Sequence, residues 1–167
     1  RILEINPYCK VDLYNTALTN KNALEIIKKY DIICDGTDNF PTRYLINDSC
    51  VLLGKPNVYG SVHRFEGQAS VFNLKKSSPN YRDLLPEPPP PNIIPSCSEV
   101  GVFGIMPGII GLVQATEVIK IITGIGKTLN GRLLVIDALS MTFKELKLLK
   151  SKNNANIKEL IDYQEFC

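Results

Sequence analysis

The most constraining feature of this sequence is a short apolar run that stops abruptly at a polar cluster. Residues 30–34 (YDIIC) are followed directly by residues 35–39 (DGTDN), a pattern typical of a buried parallel strand at its carboxyl end. A helical segment over 42–53, closed by Gly54, and a strand over 56–62 come next. This alternation predicts an α/β fold, in which helices flank a mainly parallel sheet and ligands bind beyond the carboxyl ends of the strands.

The rest of the chain extends this pattern on both sides. The further elements that the sequence predicts are strands over 11–14, 68–74 and 132–137 and helices over 20–29 and 104–123. Residues 143–149 suit either a helix or a strand. We favour a strand that pairs with 132–137, because a turn between the two would give a C-terminal antiparallel pair.

A proline-rich segment interrupts the regular elements. Residues 75–95 hold seven prolines, including the run at 88–91, so we expect an exposed crossover loop over 75–99 within a single domain spanning 1–167. The proline run suits either a stiff spacer or a ligand for a proline-recognition module, and the spacer is the simpler interpretation.

The polar cluster at 35–39 is the first candidate site. Its two carboxylates and one amide follow a buried strand, and such oxygen ligands can coordinate a hard cation such as Mg²⁺. The alternative is a helix cap, in which Asp38 or Asn39 accepts backbone N–H bonds ahead of Pro41. Spacing alone leaves both interpretations open.

The five cysteines, at positions 9, 34, 50, 97 and 167, form no CxxC pair and do not suggest a disulfide framework. This predicts a reducing compartment. Cys97 lies between the proline-rich segment and a predicted helix, where it could be a nucleophile or simply pack, and we assign Cys9, Cys34 and Cys50 to packing. His63 is the single histidine, so we interpret it as structural or near-surface rather than catalytic and expect no zinc site built around it.

Bulk properties exclude two classes of partner. The formal charge of +2 and the scattered lysines argue against nucleic acid. The longest apolar stretch, 100–122, is interrupted by Pro107, Gln114 and Glu117, so we expect a buried helix and no membrane span.

Lysine far exceeds arginine, and isoleucine and asparagine are abundant. This bias suggests an A/T-rich genome such as an organelle's, so we expect a cytoplasmic or plastid-stromal location.

Residues 34–43 (CDGTDNFPTR) resemble the "DCTDN…TR" segment of the MoeB/ThiF/HesA family of E1-like adenylyltransferases. Further segments that resemble the family follow in its order: 58–61 (VYGS), 64–68 (RFEGQ), 86–89 (PEPP), 97–104 (CSEVGVFG) and 160–167 (LIDYQEFC). The resemblance covers nearly the whole chain and implies a Rossmann-like fold.

The resemblance also implies an activity. In this family ATP adenylates the C-terminal glycine of a small ubiquitin-like sulfur-carrier protein with a Gly-Gly end, which prepares it for molybdopterin, thiamine or tRNA-thiolation chemistry. Asp38 aligns with the family aspartate that holds Mg²⁺ on the nucleotide phosphates, with Asn39 beside it. Cys97 aligns with the cysteine that some members link to the carrier, and Arg43 with an arginine next to the site. The family is usually a homodimer.

Two departures qualify this expectation. The family's glycine-rich ATP loop belongs before Arg1, so we expect an N-terminally truncated chain, the C-terminal part of one activating domain, that is inactive alone. The family's zinc-binding CxxC pairs are missing, the first at 80–83 and the second within 150–156, so zinc is not expected. A non-catalytic remnant that binds a carrier or dimerises is the alternative function. A dehydrogenase is disfavoured because the chain lacks a glycine fingerprint followed by an acidic residue.

Overall fold

A computed structural model describes residues 1–90, 101–151 and 157–167. Its helices are α1 (Ile2–Ile5), α2 (Ala23–Ile27), α3 (Phe40–Leu53), α4 (Tyr81–Leu84), α5 (Ile105–Thr123) and α6 (Tyr163–Phe166). Its strands are β1 (Ile33–Asp35), β2 (Asn57–His63), β3 (Glu66–Phe72), β4 (Arg132–Asp137) and β5 (Thr142–Lys147).

The five strands form one sheet in the order β1-β2-β3-β4-β5. β1 and β2 are parallel, whereas β2–β3, β3–β4 and β4–β5 are antiparallel. The α/β class and the C-terminal antiparallel pair are confirmed, but the sheet is mixed where mainly parallel pairing was expected. The reason is that tight turns at Arg64 (φ 51°) and Met141 (φ 51°) join β2 to β3 and β4 to β5, and a direct hairpin reverses the strand direction.

Helices cover both faces of this sheet. Alternate residues of the strands face opposite sides, so Tyr59, Phe72 and Leu133 pack against α3, α4 and α6. Val58, Ala69 and Val71 pack on the other side against α5. The site described below lies on the α3 side.

α5 approaches the sheet closely at two glycines of the β2–β3 hairpin. A Cβ on Gly60 would lie 2.5 Å from the Gln114 side chain, and one on Gly67 would lie 2.6 Å from Ile110. The amide of Gln114 donates to the backbone oxygens of Asp35 (2.7 Å) and Val58 (3.0 Å). These contacts fix α5 across β1 and β2.

The prediction that this helix is buried is wrong. Within the described residues α5 is the one helix long and apolar enough to cross a membrane by length and composition, and only 22% of that apolar stretch is buried. Its outer face exposes Leu112 (73%) and Ile122 (69%). No atom lies within 4 Å of where a Cβ would stand on Gly104, Gly108 or Gly111, so these glycines do not pack against the described chain.

Two further expectations need correction. Residues 11–14 form no strand, because they pair with none of the strands in the described residues. The described part of the predicted crossover loop, 75–90, is not an exposed linker throughout, since it contains α4 and buries Tyr81 and Arg82. Asn80 caps α4 in a reciprocal capping box with Asp83.

Candidate functional site

The candidate site begins where β1 ends and α3 starts. The Asn39 side chain caps α3 by accepting from the Thr42 N–H at 2.9 Å, and Pro41 occupies the first turn. Arg43, one turn along the helix, donates from Nε (3.2 Å) and Nη2 (2.7 Å) to the carbonyl oxygen of Thr37. α3 therefore holds the loop that carries Asp38 at both ends of the loop, through Thr37 and through Asn39.

Asp35 folds the first half of the same loop. Its Oδ1 accepts from the N–H (2.9 Å) and the hydroxyl (2.7 Å) of Thr37. Burial raises the pKa of Asp35, and the Thr37 hydrogen bonds and the charge of Arg43 oppose that rise. Asp35 thus shapes the turn, whereas Asp38, three residues on, is left exposed.

Asp38 lies on a cavity of about 570 Å³. The other lining residues are Asn39, Phe40, Pro41 and Arg43 of the loop and α3, Tyr59, Ser61, Val62, His63, Glu66 and Gln68 of the hairpin, and Tyr81, Leu84 and Leu85 at α4. The structure therefore brings Asp38, Asn39 and Arg43, all singled out from the sequence, to one cavity. The helix-cap interpretation is confirmed for Asn39, whereas the magnesium interpretation stays a prediction for Asp38, whose carboxylate is exposed.

One wall of the cavity was missed by sequence reasoning. Tyr59, Ser61 and His63 occupy alternate positions of β2, and the register places Gln68 opposite Ser61 and Glu66 opposite His63. A period-two reading of β2 would have put these side chains on one face. His63, interpreted from the sequence as structural, lines the cavity.

Aromatic rings lie beside the guanidinium of Arg43. The residue is 8% exposed, and its guanidinium carbon lies 5.7 Å from the centre of the Tyr59 ring. The Tyr59 and Tyr81 rings are 5.4 Å apart. Burial raises the pKa of Tyr81, partly opposed by the charge and the hydrogen bond of Arg43. This cation is consequently held in a fixed place beside the Asp38 loop.

Cys97 lies outside the described residues, so the structure does not place it. The packing prediction for the other cysteines holds for Cys50, which is buried and whose pKa burial raises to about 12. It is wrong for Cys9 and Cys34, which are exposed. In the part of the chain that the structure describes, no three or more His, Cys, Asp or Glu side chains are grouped so as to hold a metal ion.

Comparison with known proteins places this geometry in a family. Over 99% of its length the chain is 53% identical to a protein of Mycobacterium tuberculosis named probable adenylyltransferase/sulfurtransferase MoeZ, and it spans 43% of that relative. It is 45% identical, over 100% of its length, to the sulfur carrier protein adenylyltransferase of Thermus thermophilus, and it spans 65% of that protein. The chain therefore represents less than half of its mycobacterial relative.

Solved structures share the fold. Escherichia coli MccB, solved with ATP, superposes with a TM-score of 0.73 at 15% identity, covering 92% of this chain and 48% of MccB. The MccB structure solved with MccA-N7isoASN gives a TM-score of 0.75 at 14% identity, covering 92% of this chain and 48% of that chain. The family model described as ThiF family matches residues 1–158, and the chain belongs to the ThiF family.

Proposed function

We propose that this chain is part of an ATP-dependent enzyme that adenylates the C-terminal glycine of a small ubiquitin-like sulfur-carrier protein. The observation that carries the proposal is an exposed carboxylate, Asp38, on a cavity walled by the buried cation Arg43, in a ThiF-family chain whose relatives are named adenylyltransferases. The names of those relatives support the reaction class.

The cavity suits the end of an extended peptide. Aromatic and aliphatic side chains at α4 form one wall, and polar groups line the cavity from β2, β3 and the Asp38 loop. A tail ending in two glycines carries no side chain that must be accommodated, so a narrow site can enclose its backbone. The tail's carboxylate would reach the end of the cavity where Asp38 and Arg43 lie.

In the proposed reaction an oxygen of this carboxylate attacks the α-phosphorus of ATP. A P–O bond forms, and the bond between the α-phosphorus and the bridging oxygen breaks as pyrophosphate leaves. Arg43 fixes the Asp38 loop through the Thr37 carbonyl and supplies a positive charge near the developing anion.

Asp38, with Asn39 beside it on the nucleotide side, would hold a magnesium ion on the nucleotide phosphates. The fit rests on the donor set, since Mg²⁺ is usually bound by one or two carboxylates plus phosphate oxygens. The Asp38 carboxylate is exposed, and the Asn39 amide donates to it at 3.4 Å. Bound there, Mg²⁺ would neutralise phosphate charge during the displacement.

Cys97 is proposed to act after adenylation. Its thiolate would attack the acyl carbon of the carrier adenylate, and AMP would leave as the thioester forms.

We further propose that the full-length enzyme is a homodimer without zinc. Sedimentation would test the homodimer, and metal analysis would test the absence of zinc.

The test is ATP–pyrophosphate exchange by the natural-length protein with carriers ending in Gly-Gly. Asp38→Ala should abolish carrier-dependent exchange, while Cys97→Ala should retain it. Asp31→Ala is the matched control, because its exposed carboxylate precedes β1, at the end away from the cavity. Unchanged exchange in Asp38→Ala would exclude the assigned site, and carrier binding without exchange in the unsubstituted protein would favour a binding remnant.

A further inference from the structure

A buried ion pair joins α4 to α3. Arg82, 7% exposed, donates from Nε to Oδ1 of Asp48 (2.9 Å) and from Nη2 to Oδ2 (2.7 Å). The hydroxyl of Tyr163, on α6, donates to the same Oδ2 at 2.8 Å. We call these three residues the Arg82 clamp. The two parallel bonds fix the guanidinium in one plane, which a lysine at this position could not reproduce.

Two rings complete the surroundings of the clamp. The guanidinium carbon of Arg82 lies 5.0 Å from the centre of the Tyr44 ring and 4.9 Å from that of Phe166. These contacts stabilise a desolvated cation. The clamp therefore joins three elements that are distant in sequence: α3, α4 and the C-terminal α6.

The element held by the clamp is too short to be stable by itself. α4 has four residues, fewer than an isolated helix needs in water. The same helix and the residue after it supply Tyr81, Leu84 and Leu85 to the cavity wall. The wall is thus ordered by contacts from α3, including the hydrogen bond that the Tyr81 N–H donates to Oδ1 of Asn47 at 2.7 Å.

α3 also sets the position of the loop opposite that wall. Arg43 in its first turn holds the Asp38 loop, and Asp48, five residues later, holds Arg82. The same helix, α3, therefore fixes the positions of both the Asp38 loop and the α4 wall. A loosened clamp would change the width of the cavity without touching Asp38.

We propose that Arg82, held by Asp48 and Tyr163, is a positioning residue that fixes the α4 wall of the cavity against which the carrier's tail is bound. The inference rests on the proposed function, because it names what governs tail binding at that same site. Arg82 is not among the residues that line the cavity. Its loss should weaken binding of the carrier and leave binding of ATP unchanged.

The test compares Arg82→Lys, Arg82→Met and Tyr163→Phe with the unsubstituted natural-length protein. KM for the carrier and KM for ATP are measured by pyrophosphate exchange, well below each variant's unfolding midpoint. Amide hydrogen exchange over 81–85 is measured in parallel. Tyr163→Phe keeps the ring and should fold, and Arg132→Lys is the control, since that arginine pairs with Glu145 between β4 and β5.

The expected result is a carrier KM raised at least tenfold in Arg82→Met, less in Arg82→Lys and least in Tyr163→Phe. KM for ATP should stay within twofold, amide exchange over 81–85 should accelerate, and Arg132→Lys should change nothing. A fall in kcat with both KM values unchanged would indicate a merely structural role and overturn the inference, as would unaltered amide exchange. Absence of exchange in the unsubstituted protein would overturn the proposed function and this inference together.

Discussion

α3 and α5 differ in a way that composition does not predict. α3 carries polar and charged side chains in its middle, yet every residue from Arg43 to Cys50 is buried. α5 is longer and more apolar, yet its buried residues are Met106, Ile110, Gln114 and Glu117, a single stripe. The middle of the polar helix is enclosed on all sides, whereas the residues that the structure describes cover the apolar helix along one stripe.

The difference shows that a side chain is buried here where other residues are available to bond to it or pack against it. Asp48 is buried because Arg82 and Tyr163 satisfy its oxygens. Glu117 is buried because the Leu129 N–H donates to it at 2.7 Å and Lys120 pairs with it. Apolar residues such as Leu112 stay exposed where no described element lies over them.

The largest expected effect comes from breaking the ion pair between Asp48 of α3 and Arg82 of α4. Asp48→Ala leaves the Arg82 charge buried without its partner, so it should lower the free energy of unfolding by about 3–5 kcal/mol. Chemical denaturation measures the loss. The double variant Asp48→Leu with Arg82→Met should recover most of it, because no charge is then left unpaired, and a double variant as unstable as the single one would contradict this account.

A second pair of substitutions compares the buried and the exposed side of α5. Ile110 is 3% exposed and Leu112 is 73% exposed. Ile110→Ala should cost about 2–5 kcal/mol because it removes buried methylenes and leaves a cavity, whereas Leu112→Ala should change stability by less than about 0.5 kcal/mol. Equal losses in thermal unfolding would show that the outer face of α5 is covered.

The glycines give a third, smaller contrast. Gly60→Ala should destabilise by about 1–3 kcal/mol, because its Cβ displaces Gln114 from its two carbonyl partners. Gly108→Ala meets no atom within 4 Å and should stabilise by up to about 1 kcal/mol through helix propensity. Denaturant midpoints compare the two, and a loss in Gly108→Ala would mean that its face packs against something.

The smallest effect concerns Asp35, whose pKa burial raises. Below the ordinary aspartate pKa, the carboxyl is protonated in both the folded and the unfolded state, so the pKa shift does not lower stability. As pH rises from the ordinary pKa to the raised native pKa, the unfolded state loses its proton first, so the free energy of unfolding falls. Asp35→Asn keeps an acceptor for Thr37, and its gain in stability should be full at neutral pH and vanish on acidification. A gain independent of pH would contradict the assignment.

Much of the fold could be predicted because the signals are local. The strand over 132–137 and the helix ending at Thr123 have the predicted bounds to within a residue. The Asp38 loop could be found from its position after a buried strand. The β2–β3 turn was harder, since Arg64 adopts a positive φ without the Asn-Gly or Asp-Gly signal that usually marks such a hairpin.

The contacts that organise the site could not be predicted because they are distant in sequence. Asp48 lies 34 residues from Arg82 and 115 from Tyr163, so no periodicity links them. Nothing in the sequence marked the polar residues of α3 as buried, and α4 lies inside a stretch whose prolines predicted a loop. Only the packed structure shows that these residues meet.

The most direct test of the account is the intact mass of a Gly-Gly carrier after incubation with ATP and the natural-length protein. Asp38→Asn keeps the size and hydrogen-bonding capacity of the side chain but removes its charge, and Asp31→Asn serves as its control. The account predicts that carrier adenylate forms with the unsubstituted protein, Asp31→Asn and Cys97→Ala, and not with Asp38→Asn. Undiminished adenylate formation by Asp38→Asn would contradict it.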